Sequence, residues 1–481
     1  MAAQAANVID AMNEAPVSRF HSKAIFVAGM GFFTDAYDLF IIGTATTLIA
    51  KSWHLDSKAT SVGLINSMTL LGAFFGAILY GRLADRLGRK RIYGLEAAIM
   101  AIFALASALS PDLAFLVVCR FFLGLGVGGD YPVSAVLMSE YANRRNRGRL
   151  VGLVFAMQAL GTIAGYVFGL TLLSAGIDHA LVWRLLLGLG AIPSLAVLYM
   201  RRRMPESPRY LAWVQGRERE AAASLAEFSE GTVAPALSGA QIRPYRMRLR
   251  QFLSDRRLML MLLGTAGSWF VFDYAYYGNS VSAPLIVLSV LGKKATIEQS
   301  LALNLMIWVI AAVPGYYLAC AFMDRIGHRR LQLIGFPAMG LAFLLIGVIP
   351  GVTTAVAPFL ILFGISYFFA EFGPNTTTFV VSSEVYPTSV RTTGHGFSAG
   401  IAKLGAFIGV YLFPRISEAL GVGGALEFSA AMAALGMALT ALIPETSQVS
   451  LEELSGESRL LAGARGRITG APVLAPTPAA T

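Results

Sequence analysis

The stretch GRLADRLGRKR at residues 81–91 follows an apolar segment, and it returns 239 positions later as CAFMDRIGHRR at 320–330. A second pair of loops keeps nearly the same register, because SEYANRRNRG at 139–148 matches SEVYPTSVRTTG at 383–394, 244 positions later. The matching loops follow the second and the fourth apolar segment of each half. The sequence therefore predicts two parallel repeats of six membrane spans, the plan of an alternating-access carrier.

The composition of the 481-residue chain is that of a membrane protein. Hydrophobic residues make up 56% of it and charged residues 14%, and the mean hydropathy is +0.63. Soluble domains carry about 25% charged residues, and apolar segments of about 20 residues fit the hydrocarbon core of a bilayer. The predicted spans lie at about 24–50, 62–81, 92–110, 113–138, 150–175, 181–200, 257–290, 299–322, 330–349, 354–380, 394–417 and 424–443.

These spans divide the chain into five regions. We expect an N-terminal segment at 1–23, a six-helix bundle at 24–200, a polar connector at 201–256, a second bundle at 257–443 and a tail at 444–481 that ends in a Pro/Ala-rich run. The predicted fold class is an all-α membrane protein with twelve transmembrane helices in two pseudo-symmetric bundles.

Basic residues cluster after spans two, four, six and eight, and the run Arg201–Arg203 is one of these clusters. Because basic loops stay on the cytoplasmic side, both termini and the connector are predicted to be cytoplasmic, in a plasma (inner) membrane protein. The same clusters explain the net charge of +10 without nucleic-acid binding.

The cysteines and histidines give no sign of a metal or a cofactor. Cys119 and Cys320 lie in apolar stretches of opposite halves and are interpreted as packing residues. His54, His179 and His328 lie in predicted loops without metal-ligand spacing and are expected to be solvated.

The run GLGVGGDYP at 124–132 contains G-x-G-x-x-G, the pattern of a dinucleotide-binding turn. That turn needs a short strand before it and a βαβ unit around it, whereas this run lies inside one membrane-length segment between two basic loops. Gly124, Gly126, Gly128 and Gly129 are better explained as small residues that let membrane helices approach closely.

Ionisable side chains within the first bundle indicate a transport pathway, because such groups are expensive at membrane depth. Asp35 and Asp38 lie three residues apart on one face of span one, and span four carries Arg120 and Asp130. Capping or structural pairing is the alternative role for these side chains.

The second bundle supplies a matching polar set. Trp269, Asp273 and Tyr277 recur every four residues and form one stripe on span seven. Packing, interhelical hydrogen bonding and local neutralisation are the alternatives for this stripe and for the other polar residues at membrane depth. Those residues are Gln158 in span five, Asn375 in span ten and Lys403 in span eleven.

Charged residues at the cytoplasmic ends of the spans are predicted to be structural and to form gating loops, in which charge pairs can latch the two conformations. They are Asp85, Arg86, Arg89, Glu140, Arg147, Asp324, Glu384 and Arg391.

Several motifs together resemble a known family. The D-R-x-G-R-K loop at 85–90, PESPRYL at 205–211 and PETS with LEEL after span twelve resemble the sugar-porter-like branch of the major facilitator superfamily. GVGGDYPVSAVLMSEYANRRNRG, GTAGSWFVFDYAYYG and FGPNTTTFVVSSEVYPT resemble its phosphate:proton symporters more closely.

The resemblance implies a proton-coupled symporter of inorganic phosphate that works by alternating access. The phosphate-binding residues of that family match Tyr131, Gln158, Trp269, Asp273, Tyr277 and Asn375. Its proton-coupling acids match Asp35, Asp38, Asp130 and Asp273, and Lys403 and Arg120 balance charge. The expected partners are phosphate, protons and the lipid bilayer, with no cofactor, no metal and a monomeric chain.

The proposed chemistry is consistent with these side chains. Tyr, Trp, Gln and Asn can donate to phosphate oxygens, and an ionised Asp273 can accept from a P–OH. Protonation of an acidic residue would make binding of the anion favourable. A proton symporter of aromatic or other organic acids, a sugar-porter-like carrier and a membrane sensor remain alternatives, whereas no nucleophile–base set points to an enzyme.

Overall fold

The computed structural model describes residues 8–55, 60–233 and 246–457, and every regular element in these ranges is helical. Eleven helices are long and apolar enough to cross a membrane. The longest, Arg391–Thr440, is interrupted at Gly421, where a φ of 74° ends one span and starts the next. The spans are α1 Arg19–Ser52, α2 Thr60–Leu87, α3 Arg89–Ala108, α4 Leu113–Tyr141, α5 Arg147–Ser174, α6 His179–Arg202, α7 Arg256–Val281, α8 Ile297–Ile326, α9 His328–Val348, α10 Val356–Ser382, α11 391–420 and α12 422–440.

Some boundaries differ from those expected. The predicted span at 257–290 is two helices, α7 and a separate Ala283–Leu291, which meet at Ser282. The break expected between 417 and 424 is a kink at a single glycine. The helix α1 begins at Arg19, which lies inside the segment assigned to the N terminus.

Successive helices run in opposite directions, so that α1 begins and α12 ends on the same face of the molecule. We call this side the terminal face. Five short helices lie on it: Val8–Glu14, Pro208–Trp213, Glu218–Phe228, Leu249–Ser254 and Leu451–Ser455. The predicted connector and the start of the predicted tail are therefore partly helical, and the Pro/Ala-rich run lies outside the described residues.

The internal repeat is visible in the contacts between backbones. Gly76 of α2 lies against the carbonyl oxygen of Leu125 in α4. Gly315 of α8 lies in the same way against the carbonyl oxygen of Phe368 in α10. Gly315 follows Gly76 by the same 239 positions that separate the two basic loops.

A second pair of close contacts repeats as well. Gly161 of α5 lies against the carbonyl oxygen of Phe33 in α1, and Gly405 of α11, 244 positions later, lies against that of Phe270 in α7. The bundles α1–α6 and α7–α12 therefore share one packing plan. They meet mainly where α2 packs against α11 and where α5 packs against α8.

The glycines of α4 have the packing role that the sequence predicts. Gly124 and Gly128 lie against the backbone of α2 at Thr69 and Ala73. Gly126 faces α3, and Gly129 lies under the ring of Tyr80. No dinucleotide-binding turn is formed by this part of the described chain.

Gly128→Ala should destabilise the protein, because the new methyl group would meet the backbone of Ala73 and α2 would have to move away. Overpacking of this kind costs about 1–3 kcal/mol. The measurement is the thermal unfolding midpoint in detergent. Gly364→Ala is the control, because a Cβ there meets only Ala311 Cβ at an ordinary 3.8 Å. Equal midpoints for the two variants would contradict the account of the α2–α4 contact.

Candidate functional site

A buried ion pair lies where the two bundles meet. Lys403 Nζ of α11 lies 2.9 Å from Asp273 Oδ2 of α7 and donates to the Tyr277 hydroxyl at 3.1 Å. The ammonium group also lies 4.6 Å from the ring centre of Tyr131 in α4. Lys403 is 1% exposed and Asp273 is 0% exposed. The structure thus brings the predicted stripe of α7 together with the predicted lysine and a residue of the first bundle.

A chain of hydrogen bonds joins the bundles beside this pair. Gln158 Nε2 of α5 donates to the Tyr131 hydroxyl at 3.0 Å. The Tyr316 hydroxyl of α8 donates to Gln158 Oε1 at 3.2 Å and accepts from Asn375 Nδ2 of α10 at 2.8 Å. Five of the six predicted phosphate-binding residues therefore belong to one connected polar cluster. Sequence reasoning missed Tyr316, which links its two halves.

Two buried polar atoms on α7 lack a well-formed hydrogen bond within the described residues. The Trp269 indole N–H approaches the Asp273 carboxylate one helical turn away, but neither this N–H nor Asp273 Oδ1 makes a well-formed hydrogen bond to any described residue. The Trp269 ring lies 6.1 Å from the ring of Tyr131. Buried polar groups normally find partners, so an unused donor and an unused acceptor at this position favour the binding of a polar ligand.

The two aspartates of α1 have different surroundings. Asp38 pairs with Arg120 at 3.4 Å, and Arg120 also donates to the Asp38 carbonyl at 3.3 Å. Both carboxylate oxygens of Asp35 lack a hydrogen-bond donor within the described ranges, and the side chain is fully buried. Its electrostatic neighbours include Asp130 and Lys403. Of the pair, Asp35 is the one whose charge has no direct partner.

Asp130 forms a bidentate ion pair inside the first bundle. Arg201 donates to its two oxygens at 2.9 and 2.8 Å, and the Ser134 hydroxyl donates at 2.5 Å. The same guanidinium donates to Glu96 at 2.8 Å, so that one cation serves two carboxylates. Arg201 is fully buried, which corrects its assignment to a basic loop. Glu96 was missed, although it is an acidic residue inside an apolar span.

Two further buried residues were missed in the second bundle. Glu371 lies in a π-helical segment of α10 and accepts a hydrogen bond from Asn375. His395 of α11 lies edge-on to the rings of Trp269 and Phe379, at 5.7 and 5.4 Å. A search for every ionisable residue within the apolar spans would have found both.

On the terminal face, an arginine of each bundle forms an ion pair with a glutamate of the other bundle. Arg147 of the first bundle lies 2.7 Å from Glu384 of the second, and Arg391 of the second lies 2.9 Å from Glu140 of the first. Both the two arginines and the two glutamates are 244 positions apart. The contact therefore has approximate two-fold symmetry.

Two aspartates extend this symmetry to the helix termini. Asp85 accepts from the backbone N–H of Thr393 at 2.6 Å, at the start of α11. Asp324 accepts from the N–H groups of Gly148 and Arg149 at 3.0 and 2.8 Å, at the start of α5. Each carboxylate meets unpaired N–H groups and the positive end of a helix dipole in the other bundle. We call the two ion pairs and these two contacts the terminal latch.

One position breaks the symmetry. Arg89 lies 3.2 Å from both Asp85 and Glu140. His328, 239 positions later, lies 3.4 and 3.1 Å from the matching carboxylates of the second bundle. His328 is fully buried, so the expectation of a solvated loop residue is wrong. Arg86 is exposed and takes part in none of these contacts, unlike the other seven residues predicted for the gating loops.

The pKa of Glu384, which lies between α10 and α11, is set by opposing effects. Burial raises the pKa, but the charges of Arg147 and His328 lower it further, to a net value of about 2. Because the pKa falls on folding, the stabilisation is present above the unfolded pKa of about 4.3 and is lost as the pH falls toward 2. This half of the latch therefore stays ionised at neutral pH.

Cys119 and Cys320 are buried and free, which agrees with the packing role expected for them. Among the described residues, no group of three His, Cys, Asp or Glu side chains is placed to hold a metal ion.

Comparison with known proteins identifies the family. A family model described as "Sugar (and other) transporter" matches residues 24–457. The chain belongs to this family. The "Probable inorganic phosphate transporter 1-6" of Arabidopsis thaliana is 35% identical over 94% of this chain and 96% of the relative. The "Inorganic phosphate transporter 1-6" of Oryza sativa subsp. japonica is 35% identical over 95% and 96% of the two chains.

Solved structures show the same fold. The proton:xylose symporter XylE superposes with a TM-score of 0.76 at 21% identity, over 92% of this chain and 100% of that one. The chain therefore has the major facilitator fold. The family match and the eleven apolar helices make it an integral, multi-pass membrane protein. The predicted fold class and the predicted superfamily are confirmed.

Glu384→Gln should destabilise the latched conformation, because the substitution leaves Arg147 buried beside a neutral amide. Breaking a buried pair on one side costs about 3–5 kcal/mol. Since Glu384 remains ionised above pH 4, the loss in unfolding midpoint should be the same from pH 5 to pH 8. Glu453→Gln, at an exposed site, is the control. A loss that appears only above pH 7 would show that the carboxyl is protonated at lower pH.

Proposed function

We propose that the protein is a secondary active transporter that carries inorganic phosphate together with protons by alternating access, and that it is not an enzyme. The observation that carries this proposal is the Lys403–Asp273 pair, buried between the bundles and surrounded by hydrogen-bond donors. The relatives named as inorganic phosphate transporters support the choice of substrate.

The polar cluster suits a tetrahedral oxyanion. Tyr131, Gln158, Tyr277 and Asn375 offer hydroxyl and amide donors, and the Trp269 N–H makes no well-formed hydrogen bond within the described residues. Lys403 supplies the positive charge, while the unused Asp273 Oδ1 can accept from a P–OH group. Protonation of Asp273 would leave Lys403 without its anionic partner, and phosphate, unlike a neutral sugar, could take that place.

Coupling to protons follows from the charge balance. Asp273 and Lys403 neutralise each other, so an arriving phosphate adds an uncompensated negative charge beside a carboxylate. Two like charges about 5 Å apart repel by about 3 kcal/mol at an effective dielectric constant of 20. Protonation of Asp273 or of the unpaired Asp35 would remove this repulsion. Asp38 and Asp130 would take part only when their arginine partners withdraw.

Access to the cluster is closed on both sides in this conformation. The terminal latch closes one side. On the other side, the Phe40 ring stacks on Tyr277 at 5.8 Å and packs edge-on to Trp308 at 5.1 Å. Gly43 of α1 also lies against the backbone of Val281 in α7. The arrangement suits an occluded intermediate of alternating access.

The orientation follows from the exposed charges. The terminal face carries exposed basic side chains, including Arg86, Lys90 and Arg91. By the positive-inside rule this face would be cytoplasmic, with both termini inside, in a monomeric carrier of the plasma membrane.

Uptake of radiolabelled phosphate into proteoliposomes with an acid exterior tests the proposed function. Phosphate should accumulate above its external concentration, and a protonophore should abolish the accumulation. Arsenate, an isostere, should compete, while benzoate and xylose should not. Accumulation of benzoate or xylose without accumulation of phosphate would overturn the choice of substrate.

Asp273→Asn should abolish gradient-driven accumulation, because the amide cannot release a proton and can no longer neutralise Lys403. Asp112→Asn is the matched control, since Asp112 caps the exposed start of α4 and asparagine caps a helix equally well. Accumulation at the wild-type level in Asp273→Asn would remove this residue from the coupling role.

A further inference from the structure

Glu371 is a buried carboxylate one hydrogen bond away from the polar cluster. It begins the π-helical segment Glu371–Asn375 of α10, in which Gly373 has the non-helical angles φ −118° and ψ −106°. The Tyr276 hydroxyl donates to Glu371 Oε1 at 2.5 Å, and Asn375 Nδ2 donates to Oε2 at 2.5 Å. Both carboxylate oxygens of Glu371 thus act as hydrogen-bond acceptors.

Glu371 is a carboxylate without a partner cation in the part of the chain that the structure describes. Among the described residues, no Lys, Arg or His forms an ion pair with Glu371. The titratable groups that face it are the hydroxyls of Tyr276 from α7, Tyr316 from α8 and Tyr367 from its own helix. From α9, a glycine backbone packs against this segment at Gly373. An acidic side chain held at membrane depth by neutral donors alone is costly and indicates a functional role.

The carboxylate also competes for a donor that the substrate needs. Asn375 uses its amide group to donate to both Glu371 and Tyr316. Through Tyr316 and Gln158 the same chain reaches Tyr131 beside Lys403. A change of charge at Glu371 therefore directly alters the hydrogen bonding of Asn375, one of the proposed phosphate ligands.

We propose that Glu371 is a further proton-carrying residue, which binds a proton together with phosphate and controls the availability of Asn375 to the anion. This inference rests on the proposed function, because it names a second place where the coupled proton is held. It differs from the coupling acids predicted from the sequence, which all lie in α1, α4 and α7.

The proton balance is simple. When the cluster is open to the outside, a proton from the outer solution forms an O–H bond with one carboxylate oxygen of Glu371. The neutral carboxyl then releases the Asn375 amide to phosphate and no longer repels the anion. When the terminal face opens, that O–H bond breaks and the proton passes to cytoplasmic water. The carboxylate that is restored regains the Asn375 donor and helps to expel phosphate.

Glu371→Gln tests the proposal, because the glutamine oxygen can still accept from Asn375 and its amide N–H can donate to the Tyr276 hydroxyl, but the side chain cannot carry a proton. Phosphate influx and proton influx would be measured together in proteoliposomes. Radiolabelled phosphate is added to the outer solution, and a pH-sensitive dye is enclosed in the vesicles. We expect one proton fewer per phosphate than in the wild type. The steady-state accumulation ratio should fall about tenfold per unit of imposed pH difference, since each coupled proton contributes a factor of ten per pH unit.

Two further variants complete the test. Glu427→Gln, at an exposed position of α12, is the matched control and should keep the wild-type proton count. Tyr276→Phe removes one donor to the carboxylate while leaving it titratable, so the carboxyl should hold its proton at higher pH and phosphate binding should extend to higher pH. This variant keeps the proposal testable if Glu371→Gln does not fold.

The outcomes separate this inference from the proposed function. Failure of the wild type to accumulate phosphate would overturn the proposed function itself. Accumulation by the wild type together with an unchanged proton count in Glu371→Gln would overturn only the role of Glu371 and leave it as a structural support of the α10 kink. If Glu371→Gln does not fold, an unchanged pH dependence of binding in Tyr276→Phe would overturn the role equally.

Discussion

The structure depends on one constraint: a charge buried between membrane helices needs a partner or a proton. Asp273 is balanced by Lys403 and Asp38 by Arg120, whereas Asp130 and Glu96 share the single guanidinium of Arg201. Asp35 in the first bundle and Glu371 in the second have no such cation within the described residues. These two carboxylates without a cation, one in each bundle, lie beside the polar cluster, where an arriving anion would be sensitive to their protonation.

The internal duplication explains how one short set of charged residues, present in both halves, closes the terminal face. Arg147 and Arg391 each reach a glutamate of the other bundle, and Asp85 and Asp324 each hold the first N–H groups of a helix that is not their own. A single set of contacts, used twice, thus latches the terminal face. The replacement of a second arginine by His328 makes the two halves chemically unequal, although their geometry is alike.

Much of this architecture could be predicted because it depends on local patterns in the sequence. Spacing within the sequence is enough to recognise the apolar spans, the repeat of 239 to 244 positions and the glycines of α4. The stripe of Trp269, Asp273 and Tyr277 follows from helical spacing alone, and it does meet Lys403.

Pairings between distant helices could not be predicted in this way. Arg201 was assigned to a basic loop because its neighbours in sequence are arginines, whereas its burial depends on acids in α3 and α4. His328 was misjudged for the same reason.

The central claim is that phosphate binds between the bundles together with a proton. Isothermal titration of the purified protein with phosphate at pH 6, repeated in buffers of different ionisation enthalpy, measures the protons taken up per phosphate bound. At this pH phosphate is already mostly monoanionic, so most of the proton uptake reports on the protein. The account predicts a net uptake of about one proton or more for each phosphate, because a buried carboxylate must be neutralised when the anion arrives. A binding heat that does not vary with the buffer would show that no proton accompanies phosphate and would contradict the account.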